Sequence, residues 1–549
     1  MEDLTQSISS LPIWMALILL VATALAWPIS ISLILFYRRA VWKSMRRGAN
    51  VANPSGPTPA QQVSQPVSEL QFVDSRETAR ISDLRVFKHL VRRPWRVAMV
   101  YVFAGTTFAL IMAAAVLLGL SEGEFVLARL ISLFWIYAWP IVLTINIIAA
   151  ASWRPKIATV LIYFLMLASI VIAINAGSSE PNWTAHGTLW LLYNAPASLI
   201  LFAFLNRRVR PVGPLVLIFL MVSAFGSLLV ISLLASSEAL MRLAANLGPS
   251  AEITFIALNL LGFVLAAPFG WLILHWIRKR YERKKTSDQA IAVDAIWLLF
   301  AVVMSIQLSP NGLWACSGLF AFLVYKVVSV TGLYFIRRSS DGNRKLLVLR
   351  VFSLGKRSQR LFRWLVTYWR YAGSVQLIAG TDLATDNLEP HEFLDFLSGK
   401  LGRRFINDPP TLDRKLAELD ARPDHDGRFR VNEFFCHDHT WRHVLNRLVS
   451  DTDVVFMDLR GFSRRNGGCI FEINELINAV SLDRVQFVTD VTTDEPFLVE
   501  AIRRSWQHVQ SRSPNILSQS PQLRMFRMDR GGSLELRALL KALATASEQ

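Results

Sequence analysis

Side chains that can bind zinc cluster in one short stretch, which holds Cys436, His437, Asp438, His439 and His443. A structural zinc site needs four such ligands. Only His439 and His443 have the i, i+4 spacing that places two side chains on one helical face, and no second Cys/His pair lies nearby. We therefore predict no metal site, and we expect Asp438 or Thr440 to cap a helix that begins at Trp441.

Asp294 and Lys326 are ionisable residues inside apolar segments. Asp294 lies 14 residues before its segment ends at Leu308, and Lys326 lies 13 residues after the next segment starts at Leu313. A helix rises about 1.5 Å per residue. If the two segments are helices that cross a bilayer, both side chains lie at the same depth, roughly 20 Å from the outer face of the membrane, where the turn between the segments lies. Charges inside a bilayer are costly and are commonly paired. Three interpretations stay open: an ion pair between helices, an ion or proton pathway, and side chains that snorkel without contact.

Glu472 is a candidate for catalysis because it follows a strand-like run, Asp453 to Asp458, and lies near the start of a helix from about Cys469 to Val480. A carboxylate on the first turn, facing the strand tips, can bind ribose hydroxyls or stabilise positive charge developing at an anomeric carbon. The alternative is a charge favoured there by the helix macrodipole. Glu475, one turn further, is expected to be solvated.

The elements that position these residues follow from composition. Of 549 residues, 53% are apolar, and the mean hydropathy of +0.36 is too high for a single soluble enzyme. The 58 Lys and Arg residues exceed the 41 Asp and Glu residues, but most of the excess lies in short loops beside apolar runs, so we expect no nucleic-acid partner. Three cysteines predict no disulfide framework. The sequence contains no GxxxxGK[ST], clean GxGxxG or GxSxG motif, which argues against an ATPase, a dinucleotide dehydrogenase or an α/β-hydrolase.

Nine apolar segments have about the 20 residues that a helix needs to cross a bilayer. They are Leu11 to Phe36, Val97 to Leu120, Val126 to Ala151, Ile157 to Ala176, Thr188 to Leu205, Leu215 to Ala235, Ile253 to Ile277, Ile291 to Leu308 and Leu313 to Ile336. We predict a helical transmembrane domain over residues 1–340 and a second domain over residues 341–549.

The loops between these segments alternate in charge. Residues 38–96, 152–156, 206–214 and 278–290 hold 23 Lys and Arg residues, whereas the loops of the opposite set hold only Arg242. By the positive-inside rule, the amino terminus lies outside and the carboxyl-terminal domain is cytoplasmic. We expect a multi-pass protein of a bacterial inner membrane, with the lipid bilayer as a partner.

The cytoplasmic loop 38–96 has two parts. Val51 to Pro66 is rich in Pro, Gln, Ser and Ala, which predicts a linker rather than a packed core. Thr78 to Arg96 places apolar residues at helical spacing among basic ones, which is typical either of a helix on the headgroup surface or of a simple helix leading into the membrane.

Beyond residue 340, short β-rich runs alternate with amphipathic helices. Five strands are predicted at Leu346 to Phe352, Val375 to Ala379, Asp453 to Asp458, Arg484 to Thr489 and Leu523 to Met528. Helices are predicted at Ser358 to Tyr371, Trp441 to Val449, Cys469 to Val480, Pro496 to Gln510 and Leu534 to Ala546. This alternation predicts an α/β, flavodoxin-like doubly wound sheet, in which ligands bind beyond the carboxyl ends of the strands.

The segment SDTDVVFMDLRGFSRRNGGCIFEINEL, residues 450–476, resembles the middle of a Toll/interleukin-1 receptor (TIR) domain. There, a strand and a short loop lead into a helix that starts near a Trp-Cys-x-x-Glu-Leu motif, and the matching residues here run from Gly468 to Ile473. The resemblance implies that Glu472 takes the place of the catalytic glutamate of those TIR domains that hydrolyse NAD. NAD is then a substrate, and the sequence identifies no bound cofactor.

These observations lead to a membrane-anchored signalling or defence protein with a TIR-like cytoplasmic module. It would act through homo-oligomeric assembly of that module, through NAD glycohydrolase activity, or through both. Two alternatives stay open: a transporter or channel with a regulatory cytoplasmic α/β domain, and a membrane scaffold without catalysis.

Overall fold

The computed structural model describes residues 11–47, 68–76, 85–120, 126–149, 153–176, 208–235, 251–337, 343–351, 356–379, 388–437, 440–529 and 531–547, together with Ser237 and scattered positions between 184 and 206. The chain forms two compact units. An apolar unit comprises residues 1–36, 95–338 and 388–394, and an α/β unit comprises residues 37–94, 339–387 and 395–549.

The helices of the first part of the chain are α1 (Leu11–Arg47), α2 (Arg85–Leu120), α3 (Leu127–Tyr137), α4 (Trp139–Ile148), α5 (Trp153–Asn175), α6 (Gly213–Ala235), α7 (Ala251–Glu282), α8 (Asp288–Gln307) and α9 (Ser317–Arg337). In the described part of the chain, eight helical stretches are long and apolar enough to cross a membrane, with α3 and α4 forming one of them. They fit a multi-pass membrane protein. Half of the predicted segment Thr188 to Leu205 lies outside the described residues.

Two of these stretches differ in shape from the prediction. The segment Val126 to Ala151 was predicted as one helix, but Ala138 separates α3 from α4, and Pro140 lies in the first turn of α4. Proline lacks the amide hydrogen and fixes its own backbone angle, so it fits well at a helix start, whereas in the interior it removes a backbone hydrogen bond. α1 continues past Phe36 through a basic stretch to Arg47, because Arg and Lys are good helix formers.

Glycines allow α6 and α7 to approach each other closely. A Cβ atom at Gly226 would lie 2.6 Å from the carbonyl oxygen of Gly262, and a Cβ at Gly262 would lie 2.6 Å from Cα of Ser227. The Ser227 hydroxyl also donates to the Asn259 carbonyl across this contact (2.7 Å). Small residues and interhelical hydrogen bonds are typical of helices that pack in an apolar solvent.

Within its described residues, the α/β unit contains an eight-stranded parallel sheet. Its strands are β1 (Gln71–Asp74), β2 (Leu346–Arg350), β3 (Val375–Ala379), β4 (Phe405–Ile406), β5 (Val431–Cys436), β6 (Val454–Asp458), β7 (Val485–Asp490) and β8 (Gln522–Met528), in the spatial order β1-β8-β7-β6-β2-β3-β5-β4. All five predicted strands are confirmed. The sequence pattern places β1 in a loop and predicts neither β4 nor β5.

The helices beyond residue 340 are α10 (Lys356–Trp369), α11 (Pro390–Leu397), α12 (Pro409–Ala417), α13 (Trp441–Ser450), α14 (Gly467–Ala479), α15 (Glu495–Gln507) and α16 (Ser533–Ala546). Most of α11 groups with the apolar unit, because residues 388–394 belong there. The five helices predicted in this part of the chain are present, with ends shifted by at most three residues.

The two faces of the sheet carry different helices. On one face, α13, α14 and α15 contribute to a core with alternate strand residues such as Leu347, Val455 and Phe487. α10 and α16 pack against each other, and α16 also contacts β6 and β7. On α10, the predicted apolar stripe Leu361, Phe362, Leu365 and Trp369 is buried throughout, and each such side chain contributes about 1.5–3 kcal/mol relative to exposure.

Arg93, near the start of α2, belongs to the α/β unit and is almost fully buried. Its guanidinium lies 6.0 Å from the centre of the Tyr371 ring, a distance at which a cation interacts favourably with the aromatic face. Gly427 adopts a positive φ of 79° beside this side chain, in a turn where Asp426 and Arg428 form a buried ion pair (3.0 Å).

Candidate functional site

Three neighbouring strands of the sheet end in charged residues. β2 ends at Arg350, β6 at Asp458 and β7 at Asp490, and all three side chains are buried. Arg350 and Asp458 occupy the same register position on adjacent strands. Since the strands are parallel, these ends lie at one edge of the sheet, which is where doubly wound folds bind ligands.

Asp458 is held by several donors. The Arg460 side chain donates to both of its carboxylate oxygens (2.7 Å each), and the Ser358 hydroxyl at the start of α10 donates to Oδ2 (3.1 Å). A carboxylate bound in this bidentate way keeps a fixed orientation. Asp458 is therefore a structural anchor between β6 and α10.

Asp490, the last residue of β7, is held by hydrogen bonds from the loop that follows. Its carboxylate accepts hydrogen bonds from the Thr492 amide (2.9 Å) and the Thr492 hydroxyl. The exposed Arg357 side chain lies 3.5 Å from the same carboxylate. Through this contact, a basic group from α10 reaches the end of β7.

Glu472 lies on α14, and only 4% of its surface is exposed. Among the described residues, its Oε2 atom has no hydrogen-bond partner. Burial raises the pKa of Glu472 to about 8, and the positive charge of Arg350 opposes this rise. The carboxyl group is therefore mostly protonated near neutral pH in this conformation, and it lies close enough to the end of β2 to interact with Arg350.

Glu472 does not lie on the first turn of its helix, where the sequence predicts it. α14 begins at Gly467, so Glu472 lies on the second turn and not the first. The macrodipole acts mainly within the first turn and favours an ionised group. It does not explain a buried carboxyl whose pKa is raised, so the alternative of a simple helix-start charge does not fit this geometry.

Cys469 lies in the first turn of α14, and Trp441 of the neighbouring helix α13 lies close to this turn. Burial, and then the negative charges of Glu472 and Asp458, raise the pKa of the Cys469 thiol. A Cβ atom at Gly468, where the TIR motif has tryptophan, would lie 3.9 Å from the Trp441 ring of the neighbouring helix α13. Trp441 in turn packs edge-on against Phe471, with ring centres 5.5 Å apart.

Glu475 is half-buried, in contrast to the solvated position expected from the sequence. Burial raises its pKa, and Arg512 opposes this rise. With the Asn446 amide oriented to donate, its nitrogen lies 3.2 Å from Glu475 Oε2. Glu475 thus contacts α13, whereas Glu472 lies near the strand ends, and the two carboxyl groups differ in environment although they share a helix.

The stretch of zinc-binding residue types does not form a metal cluster among the residues that the structure describes. Asp438 and His439 lie outside those residues. The His437 ring contacts the Asn407 side chain (2.8 Å), and Cys436 is a buried free thiol at the end of β5. Thr440 occupies the N-cap position of α13, but its hydroxyl bonds to the backbone of His437 instead of capping the helix amides.

Asp294 on α8 and Lys326 on α9 are in direct contact. Lys326 Nζ donates to Asp294 Oδ2, and the Tyr325 hydroxyl donates to Oδ1 (3.4 Å). Of the three interpretations open from the sequence, this geometry is that of an ion pair between helices. A short turn joins α8 to α9 through a 3-10 stretch, Ser309–Cys316, so the helices run antiparallel.

The sequence motifs do not point to four residues of this site: Arg350, Asp458, Asp490 and Ser358. The sequence signal for three of them is a charged residue at the end of each of three apolar strands, as in LLVLR, VVFMD and VQFVTD.

No protein-family model and no curated protein sequence matches this chain.

Proposed function

We propose that this chain is a multi-pass inner-membrane protein with its amino terminus outside and a cytoplasmic TIR-like module. The module acts in signalling or defence through assembly of several copies and through NAD cleavage at Glu472. The eight long apolar helices and the charge asymmetry of the loops support the membrane arrangement.

The strand order supports the TIR-like interpretation. Numbered along the chain, the five strands predicted from the sequence lie in the order 2-1-3-4-5, which is the flavodoxin-like order. In that order the topological switch point falls between β2 and β6, the strands that end at Arg350 and Asp458.

One observation carries the catalytic proposal: Glu472 is a buried carboxyl without a partner for Oε2 among the described residues, beside the strand end at the switch point. A buried polar group without a hydrogen bond costs roughly 1–3 kcal/mol, so a purely structural role gives no reason for it. A role in binding a ligand does explain why this carboxyl oxygen has no hydrogen bond within the described structure. Perturbed carboxyl groups of this kind are frequent at functional sites.

The chemistry assigned to Glu472 needs its ionised form. When the site opens to admit NAD, water reaches the carboxyl group and its pKa falls towards the ordinary value. The carboxylate then stabilises the positive charge that develops on the ribose as the bond from its anomeric carbon to nicotinamide breaks. Water forms the new carbon–oxygen bond and releases a proton, and nicotinamide and ADP-ribose leave.

Nicotinamide release tests this proposal. The full chain in lipid nanodiscs, at a density that allows copies to cluster, is expected to release nicotinamide from NAD. Glu472→Gln should abolish the release, while Glu475→Gln, on the same helix, should retain most of it. Equal losses in the two variants, with both folded, or intact NAD with the clustered wild type, would contradict the catalytic role and favour a scaffold.

A further inference from the structure

β1 is an edge strand supplied by a distant part of the chain. Its four residues come from the segment before α2 and pair in parallel with β8, with Gln71 opposite Gln522 and Asp74 opposite Met525. β8 pairs with β7 on its other side. β1 therefore covers a strand edge that would otherwise expose backbone amide and carbonyl groups.

Contacts before the strand fix its position. Leu70 is buried in the core of the α/β unit, and the Gln71 amide donates to the Pro521 carbonyl (3.0 Å). The Trp506 indole donates to the Ser68 carbonyl (2.9 Å). These are specific contacts to α15 and to the segment that leads into β8.

Contacts after the strand are ionic. Arg76 lies 3.2 Å from the Asp529 carboxylate and 3.7 Å from that of Glu535, and its guanidinium stacks 5.5 Å from the centre of the Phe526 ring. Partly exposed ion pairs of this kind are worth at most about 1 kcal/mol each. The attachment of β1 is thus specific, but it depends on one buried apolar side chain, a few hydrogen bonds and these ionic contacts.

The strand itself adds little burial. Gln71 and Asp74 are exposed, and Phe72 and Val73 are half-buried. A four-residue pairing of this kind is weak on its own, whereas the uncovered edge of the seven-residue strand β8 would be a template for another strand. An identical β1 from another copy satisfies every contact that the chain's own β1 makes.

We propose that β1 is exchanged between copies, so that β1 of one chain pairs with β8 of a second copy of this chain. Residues 48–67 join α1 to Ser68, and residues 77–84 join Arg76 to α2. The eight residues of the shorter link span at most about 28 Å, so they limit the exchange to a close neighbour. Confinement to a membrane raises the effective concentration of the second copy. This exchange rests on the assembly part of the proposed function and gives that assembly a physical contact.

The exchange determines the form of the assembly. β1 and the β8 edge are different surfaces, so two chains can exchange strands reciprocally to form a closed dimer, or each can pass its strand to the next chain and form a row. In both forms a β1 strand from one copy completes the sheet of a neighbouring α/β unit, and the chain that flanks β1 links the two units. The units are then held close together without any change in their own fold.

Cross-linking between differently tagged chains tests the exchange. Gln71→Cys in one chain and Gln522→Cys in the other replace exposed residues that face each other across β1 and β8. Both chains also carry Cys316→Ser, since Cys316 is an exposed thiol. The full chains are co-expressed, and their membranes are treated with a short bifunctional thiol reagent.

Exchange predicts cross-linked species that contain both tags, several-fold above a control pair in which the second chain carries Arg447→Cys, an exposed position on α13. A single chain with both Gln71→Cys and Gln522→Cys reports whether β1 pairs with β8 at all. If that chain links only within itself and the mixed pair stays at the control level, β1 is not exchanged. If neither links, the pairing itself is absent and the proposal fails. Nicotinamide release is measured separately, so a failure of catalysis does not change the cross-linking result.

Discussion

Lys326 donates a hydrogen bond to Asp294 between α8 and α9, and Tyr325 donates to the other oxygen of the same carboxylate. Both helices are long enough and apolar enough to cross a membrane. A charge in such a position costs about 2.5–3.5 kcal/mol on membrane-insertion scales. Pairing offsets part of this cost, so the two residues depend on each other.

This dependence predicts non-additive effects of substitution. Asp294→Asn and Lys326→Met should each lower the thermal stability and folded yield of the protein, because each strands the remaining charge. The double variant should lose less than the sum of the two single losses. Size-exclusion profiles and melting temperatures in detergent measure this, and additive losses would argue against the ion pair. Normal stability with altered ion flux would favour the pathway interpretation.

Membrane orientation gives a second prediction. The loops assigned to the inside hold 23 basic residues and those assigned to the outside hold one, so the sides of successive loops should alternate. Reporter fusions after Glu180 and after Arg283 should report opposite sides, with the first outside and the second in the cytoplasm. Two cytoplasmic signals would overturn the nine-span topology.

Packing around Arg93 gives a third prediction. Gly427 and Gly399 both have positive φ, so alanine at either costs about 1–2 kcal/mol from backbone strain. A Cβ at Gly427 would also lie 2.5 Å from the buried Arg93 guanidinium, whereas none of the described atoms lies within 4 Å of a Cβ at Gly399. Gly427→Ala should therefore lower the melting temperature more than Gly399→Ala. Equal shifts would mean that Arg93 moves aside without cost.

The sequence predicted elements with strong periodicity and missed weak ones. The stripe on α10 and the apolar runs of β2 and β6 were clear because each repeats at a helical or strand period. β1 and β4 have four and two residues, which is too short for a periodic signal, and β5 lies within a polar region.

The candidate site shows a similar division. Motif resemblance identified Glu472, but its burial depends on how α14 packs on the sheet, and its pKa also depends on the charge of Arg350 at the end of β2. The juxtaposition of Arg350 with Asp458 depends on strand order and register, which join residues about a hundred positions apart in the chain. Local sequence patterns do not carry that information.

The last prediction concerns the pH dependence of stability that Glu472 causes. Burial raises its pKa from 4.5 to about 8 in the folded protein, so between these values the folded state keeps a proton that the unfolded chain releases. Stability therefore falls as pH rises through this window, by at most about 1.4 kcal/mol per pH unit for one group. A glutamine side chain cannot ionise, so the melting temperature of Glu472→Gln relative to wild type should increase from about pH 5 to about pH 8.

Glu475→Gln is the matched control for this pH dependence. Because Glu475 is only half-buried, the melting temperature of Glu475→Gln relative to wild type should change less with pH. Melting curves of the full chain in detergent, followed by intrinsic fluorescence, measure both variants. Parallel pH profiles for wild type and Glu472→Gln would show that Glu472 is already ionised in the folded protein, and the closed, protonated state of the site would then be wrong.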